Sequence, residues 1–145
     1  MSAETMDAVF IDIEFDEPAK SDPELAKKLG ELRLGEVSFL QVPIGDDVTL
    51  DGWQIRPPQL MADKRYPLVV HVYGEPAGQT VVDRWSGGNY LWHHWVAQQG
   101  YVVMSFDNRG TPAPKGRQWR KCVYRQIGLL ASADQANAVK SVLSS

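Results

Sequence analysis

The sequence predicts an α/β fold: a β-hairpin followed by a parallel strand, a helix, a second strand and a helix. Three observations carry this reading. Two near-continuous apolar runs, "YPLVVHVY" (66–73) and "YVVMSFD" (101–107), have strand length and are apolar enough to be covered on both faces. Between them, "NYLWHHWVAQQG" (89–100) has the pattern of a helix, so strand, helix and strand fit within the 42 residues 66–107, in keeping with a βαβ unit of about 30 residues or more. Ahead of them lie two strand-like runs joined by a turn containing Gly45, Asp46 and Asp47.

The first candidate element is "AVFIDIEF", where Val9, Ile11, Ile13 and Phe15 alternate with Asp12 and Glu14, a strand pattern. "EPAKSDP" breaks it. A short helix then opens at "SDPELAKKLGEL", with Ser21 or Asp22 as cap, Pro23 in the first turn and Glu24 close behind; Gly30 and Gly35 limit it. "EVSFLQVP" and "VTLDGWQIRPP" form the hairpin, and Pro57 and Pro58 end its second strand. "QLMADKR" is a polar connector.

In the helix between the two apolar strands, Leu91, Trp92, Trp95 and Val96 are expected to face the core, and Gly100 closes it. After the second strand, "NRGTPAPKG" is a loop and "RQWRKCVYRQIG" is expected to be helical. The last helix is "ASADQANAVKSVLSS", with Ser132 as its cap and Ala136, Val139, Val142 and Leu143 inward.

A chain of 145 residues fits one domain and is long enough to bury a core. The net charge of −3 exerts no general pull on nucleic acid. Charge is uneven, however: residues 1–63 hold 14 acids and 5 bases (−9), residues 64–145 hold 4 acids and 10 bases (+6). Two parts of one fold attracting each other would explain this, and so would an anionic partner. The first 18 residues lack a basic start and an unbroken apolar core, so they do not read as a signal peptide, and no stretch reaches the roughly 20 apolar residues of a membrane span. Compartment is left open.

Cys122 is the single cysteine, which excludes an internal disulfide. Lys121, Arg120 and Arg125 nearby favour a thiolate, but no local motif marks a nucleophile, and a structural thiol is the plainer reading. His93 and His94 are adjacent on a helix and point about 100° apart, so they do not converge on a metal. His71 reads as a hydrogen-bonded core histidine, and no spacing matches a zinc motif. "GEPAGQT" lacks the lysine and spacing of a phosphate loop. Lys115, Arg117, Arg120, Lys121 and Arg125, interleaved with Trp119 and Tyr124, read as a solvated helix face rather than a nucleic-acid surface. No cofactor, metal, membrane or nucleic acid is therefore expected. Asp107 and Arg109 are read as an ion pair that fixes the loop after the second apolar strand.

The segments "HVYGEPAGQT" and "AQQGYVVMSFDNRGTPAPKGRQWRKCVYRQIG" resemble the prolyl oligopeptidase family, closest to its dipeptidyl peptidase IV-like branch. The matching residues are Tyr73, Gly74, Pro76 and Gln79, then Gly100 and Tyr101, then Asp107, Arg109 and Gly110, with Asp134 in a similar final helix. The resemblance runs from about residue 22 to the end. It implies an α/β-hydrolase domain that sits beside a β-propeller, cuts short peptides after proline or sometimes alanine, and uses a Ser-Asp-His triad. It also implies that the Tyr73 hydroxyl donates to the oxyanion. Taken alone, Tyr73 reads as an aromatic at the core's edge.

A nucleophile elbow needs Gly-x-Ser-x-Gly, because its serine sits on a sharp turn with little room for side chains. The sequence contains no such pentapeptide; "WSGGN" at Ser86 lacks the first glycine and reads as a loop or cap. Serine, acid and histidine are expected beyond the last helix. Residues 22–145 then correspond to the N-terminal half of a peptidase domain, truncated before the elbow, and residues 1–21 to an extension, the tail of a preceding domain being one reading. The expected function is that of a piece of a serine peptidase acting on peptide substrates, inactive by itself. The alternative is a non-catalytic assembly module: in the family sheet the "PLVVHVY" strand pairs with the elbow strand, and a free edge there invites another copy or another chain.

Overall fold

The computed structural model describes residues 22–32, 34–84 and 87–144. Its elements are α1 (Pro23–Gly30), β1 (Val37–Pro43), β2 (Thr49–Ile55), β3 (Leu68–His71), α2 (Gly88–Gln98), β4 (Val102–Asp107), α3 (Gly116–Lys121) and α4 (Ile127–Ser144). The strand expected at 8–15, the extension 1–21 and Ser86 lie outside the described residues. Asp22 caps the start of α1, accepting a bond from the Glu24 N–H at 3.0 Å.

The four strands pair in the order β1-β2-β4-β3. β1 and β2 form the antiparallel hairpin, with Val37 opposite Ile55 and Pro43 opposite Thr49. Its turn uses left-handed backbone at Gly45 (φ 95°), Asp46 (φ 49°) and Asp47 (φ 56°), residue types that accept that region readily. β2 runs antiparallel to β4. β3 and β4 are parallel, with α2 between them in sequence, which is the expected βαβ unit.

Side chains alternate across the sheet, so each face has its own core. One face gathers Leu40, Val42, Leu50, Met104 and Phe106 against Ala138 of α4, with Val139 and Val142 packed alongside. The other gathers Trp53, Ile55 and Val103 against Val96 and Ala97 of α2. Burying a side chain of this size contributes about 1.5–3 kcal/mol each before the cost of ordering it, so these two layers are the main source of stability. The uneven charge is partly reconciled within the fold, where Lys115 Nζ lies 3.0 Å from Asp51 Oδ1.

Several expectations need correction. β3 is half-buried along its whole length rather than covered on both faces, because it sits at the edge of the described sheet. In α2 the inward residues are His93, His94, Val96 and Ala97, while Leu91, Trp92 and Trp95 are exposed. The helix is turned by its histidines: His94 Nδ1 accepts the Gly35 N–H at 3.1 Å and His93 packs against Trp53. The helix expected over 117–128 is broken after Lys121 by turns that include Arg125 at φ 61°. α4 begins at Ile127, so Ser132 lies within it and caps nothing. Its buried residues are Ala131, Asp134, Gln135 and Ala138; Ala136 and Leu143 face solvent, and Val139 and Val142 are half-buried.

Candidate functional site

Tyr73 stands just past the carboxyl end of β3, where parallel sheets place their ligands. It is 49% exposed. The chain turns at once through Gly74, whose φ of 79° suits a residue without a β-carbon. The tyrosine ring lies over Gly78, where an added β-carbon would come within 3.2 Å of Tyr73 Cε1.

The turn from 73 to 80 is tied to the loop after β4. Asn108 Nδ2 reaches the Gly74 carbonyl at 3.5 Å. Arg120 Nη1 donates to the Pro76 carbonyl at 2.7 Å and also to the Gly110 carbonyl. At its far end the turn is anchored on Asp107, which accepts from Thr80 N (2.7 Å), Thr80 Oγ1 (3.0 Å) and Val81 N (3.2 Å). Ser105 Oγ donates to the His71 carbonyl at 2.6 Å and lies 2.7 Å from Thr80 Oγ1. Burial pushes the Asp107 carboxyl upward, and its bonds to Thr80 and Val81 only partly offset that.

Asp107 and Arg109 do not pair with each other. Arg109 is bound to Asp134 of α4: its backbone N–H is 2.9 Å from Oδ2, and Nη2 is 2.6 Å from Oδ1. Asp134 is fully buried. These bonds raise the Arg109 guanidinium further above its ordinary value. Beside them, Gln135 Nε2 donates to the Phe106 carbonyl at 2.8 Å and to Asn108 Oδ1 at 3.2 Å. Gly110 completes the loop at φ 93°, with Val123 Cγ1 only 2.6 Å from where a β-carbon would stand.

The loop thus links α4, β4 and the tyrosine turn. Sequence reasoning missed Arg120, which it read as part of a solvated face, and Thr80. No local pattern marks either, because their partners are backbone carbonyls and a carboxylate distant in sequence. Cys122 keeps a structural contact, its Sγ donating to the Trp119 carbonyl at 3.0 Å. Among the described residues, no group of three or more His, Cys, Asp or Glu is placed to hold a metal ion. No helix among them is long and apolar enough to cross a membrane.

The histidines collect on the other side of the turn. His93 lies 4.8 Å from His71 and 5.1 Å from Trp53, ring centre to ring centre. Burial first, and its neighbouring histidine second, push His93 and His94 each down to about 4. Both are therefore neutral at pH 7. The unfolded chain takes up these protons near pH 6.5, while the folded chain refuses them until about pH 4. Stability is expected to fall as pH drops through that window. Asp107 works in the opposite sense at the acid end. Thermal unfolding followed by circular dichroism at pH 7.5 and pH 5 should show a lower midpoint at pH 5. A smaller drop is expected in His93→Phe, and equal drops in the two proteins would contradict the assignment.

No family model matches the chain. Its similarity to individual proteins is clear. A probable dipeptidyl peptidase 4 of Aspergillus flavus is 35% identical over 129 residues, covering 85% of this chain and 16% of that protein. The crystal structure of Porphyromonas gingivalis dipeptidyl peptidase 4 superposes with a TM-score of 0.74 at 34% identity, covering 81% of this chain and 16% of that one. The chain belongs to the prolyl oligopeptidase family, on its dipeptidyl peptidase 4-like branch. Pyrococcus horikoshii acylaminoacyl peptidase shares the fold, with a TM-score of 0.65 at 22% identity over 82% of this chain. The dipeptidyl peptidase 4-like chain spans about a sixth of the length of the curated relatives it matches. It is a partial α/β-hydrolase fold with a mixed sheet.

Proposed function

We propose that residues 22–145 supply the oxyanion side of a serine peptidase site, with the Tyr73 hydroxyl as a donor to the developing oxyanion. The observation that carries this reading is the position of Tyr73. It is a half-exposed phenol at the carboxyl end of a parallel strand, on a turn clamped by Asn108, Arg120 and Asp107. A phenol O–H is a good donor, and a donor held in place before reaction costs no reorganisation during it. The substrate class is a peptide, on the likeness to dipeptidyl peptidases. The serine, acid and histidine of the reaction come from residues outside this sequence, which contains no Gly-x-Ser-x-Gly.

The pure 145-residue chain is expected to give no turnover of a Gly-Pro chromogenic amide. Turnover is expected to appear when a chain carrying the elbow serine, acid and histidine is co-folded with it. Activity of the chain alone, or none from a well-folded complex, would overturn the reading.

One observation supports a second reading, assembly without catalysis. β3 pairs only with β4 among the described residues, so its other edge, along Leu68–His71, has no described strand partner. Light scattering coupled to size exclusion would show a concentration-dependent dimer or larger species if copies pair there. A monomer at all concentrations would remove this reading and leave the first untouched.

A further inference from the structure

A cavity of about 460 Å³ lies between the α2 face of the sheet and the start of α2. That is within the usual size range of small-molecule pockets, about 300–1,000 Å³. Its floor is the odd-numbered face of the hairpin: Val37, Phe39, Trp53 and Ile55. Tyr90, His93 and His71 form one wall, and Gln79 and Thr80 of the tyrosine turn form part of another. Asp83 and Arg84, one of each sign, stand at the exposed rim.

The two imidazoles on this wall are unusual for a packed interior. Their rings touch other rings, yet neither makes a hydrogen bond to a described residue. A neutral imidazole always carries one donor and one acceptor nitrogen. Among the described residues, the side-chain polar atoms sealed from solvent without a partner are His94 Nε2 and Gln135 Oε1. The nitrogens of His71 and His93 are not among them, so they are not sealed from solvent, and both residues line the cavity. The Trp53 N–H, by contrast, is already committed to the Thr80 carbonyl at 3.0 Å, which leaves the indole as a packing surface.

We propose that this cavity binds a small planar aromatic molecule bearing one hydrogen-bond donor, stacked among Trp53, Phe39 and His93, with the donor directed at an imidazole nitrogen. Charge argues against the alternatives. Among the described lining residues the Asp and Arg side chains are those of Asp83 and Arg84 at the rim, so an ionic ligand would lose hydration without a carboxylate or guanidinium on the described inner walls. Two imidazoles without a third ligand also make a poor metal site. A planar ring matches the aromatic walls, which favour offset or edge-to-face contact. The suppressed basicity of His93 keeps an acceptor nitrogen available at neutral pH. The ring is either a free molecule or an aromatic side chain of a peptide, and the two differ by what is attached to it.

The test is a titration of the 145-residue chain at pH 7.5 with phenol, benzene and N-acetyltyrosinamide, reading the imidazole C–H signals of the histidines by NMR. Phenol is expected to give saturable shifts at His71 and His93 with a millimolar Kd. Benzene should bind about fivefold more weakly, the scale of one neutral hydrogen bond. Binding of N-acetyltyrosinamide as well as phenol identifies a side-chain ligand; phenol without it identifies a free molecule. His93→Phe should keep the aromatic wall but erase the preference for phenol over benzene. Asn89→Trp, a change at an exposed rim residue, should block all three without touching the core. Absence of saturable shifts with phenol, equal binding of benzene and phenol, or undiminished binding in Asn89→Trp would each overturn the proposal. None of these outcomes bears on Tyr73.

Discussion

Replacing Asp134 with alanine is expected to destabilise the chain by about 3–5 kcal/mol, the scale of removing one partner from a buried ion pair. Asp134 is fully buried in α4, and its carboxylate receives the Arg109 backbone N–H as well as Nε and Nη2 of the guanidinium. Alanine leaves a buried N–H without an acceptor and a cation without its counter-charge. Arg109 retains one relief, since its side chain is 28% exposed and its far end can turn to water. That places the effect toward the lower end of the range. Asp134→Asn should fall between alanine and the parent, because an amide oxygen still accepts but carries no charge. Denaturant unfolding would read these changes as shifts of the midpoint. A loss below about 1 kcal/mol for Asp134→Ala would mean that the pair is not what joins α4 to the loop. With total stability typically about 5–15 kcal/mol for a domain, the larger loss leaves little margin.

This same pair shows where the sequence is legible and where it is not. The strands, the hairpin turn and the βαβ unit follow from local pattern, because apolar alternation and left-handed turn residues act over a few positions. The motifs around Tyr73 and Asp107 were likewise visible as motifs. The inward faces of α2 and α4 were not. Hydropathy assigned Trp92, Trp95 and Leu143 to the core, yet His93, His94, Asp134 and Gln135 occupy it. Each of these polar residues is buried because of a partner or packing surface distant in sequence. His94 accepts from Gly35, Asp134 holds Arg109, and Gln135 reaches Phe106 and Asn108. A rule that ranks residues by hydropathy cannot see a hydrogen bond spanning 25 to 59 positions. The supposed Asp107–Arg109 pair failed for the same reason: two charges near in sequence were matched to each other, when the fold offers each a better partner.

Replacing Tyr73 with phenylalanine, in a complex that has gained the missing catalytic residues, is expected to lower kcat by roughly 100–1,000-fold with little change in KM. Phenylalanine keeps the ring that packs over Gly78 and removes only the hydroxyl. That hydroxyl makes no hydrogen bond to a described residue, and Tyr73 is half-exposed, so the fold should not register its loss. Stability should stay within about 0.5 kcal/mol of the parent. The contrast with Asp134 is the point of the experiment. A residue that serves the fold loses stability when altered, and activity follows through the folded fraction; a residue that serves only the transition state loses rate in a protein that is otherwise unchanged. Arg120→Ala supplies the intermediate case, because it releases the Pro76 and Gly110 carbonyls and loosens the turn without removing the donor. If Tyr73→Phe retains activity within tenfold of the parent complex, the hydroxyl does not meet the oxyanion. The aromatic would then be a packing residue of the turn, as its position in the sequence alone suggests.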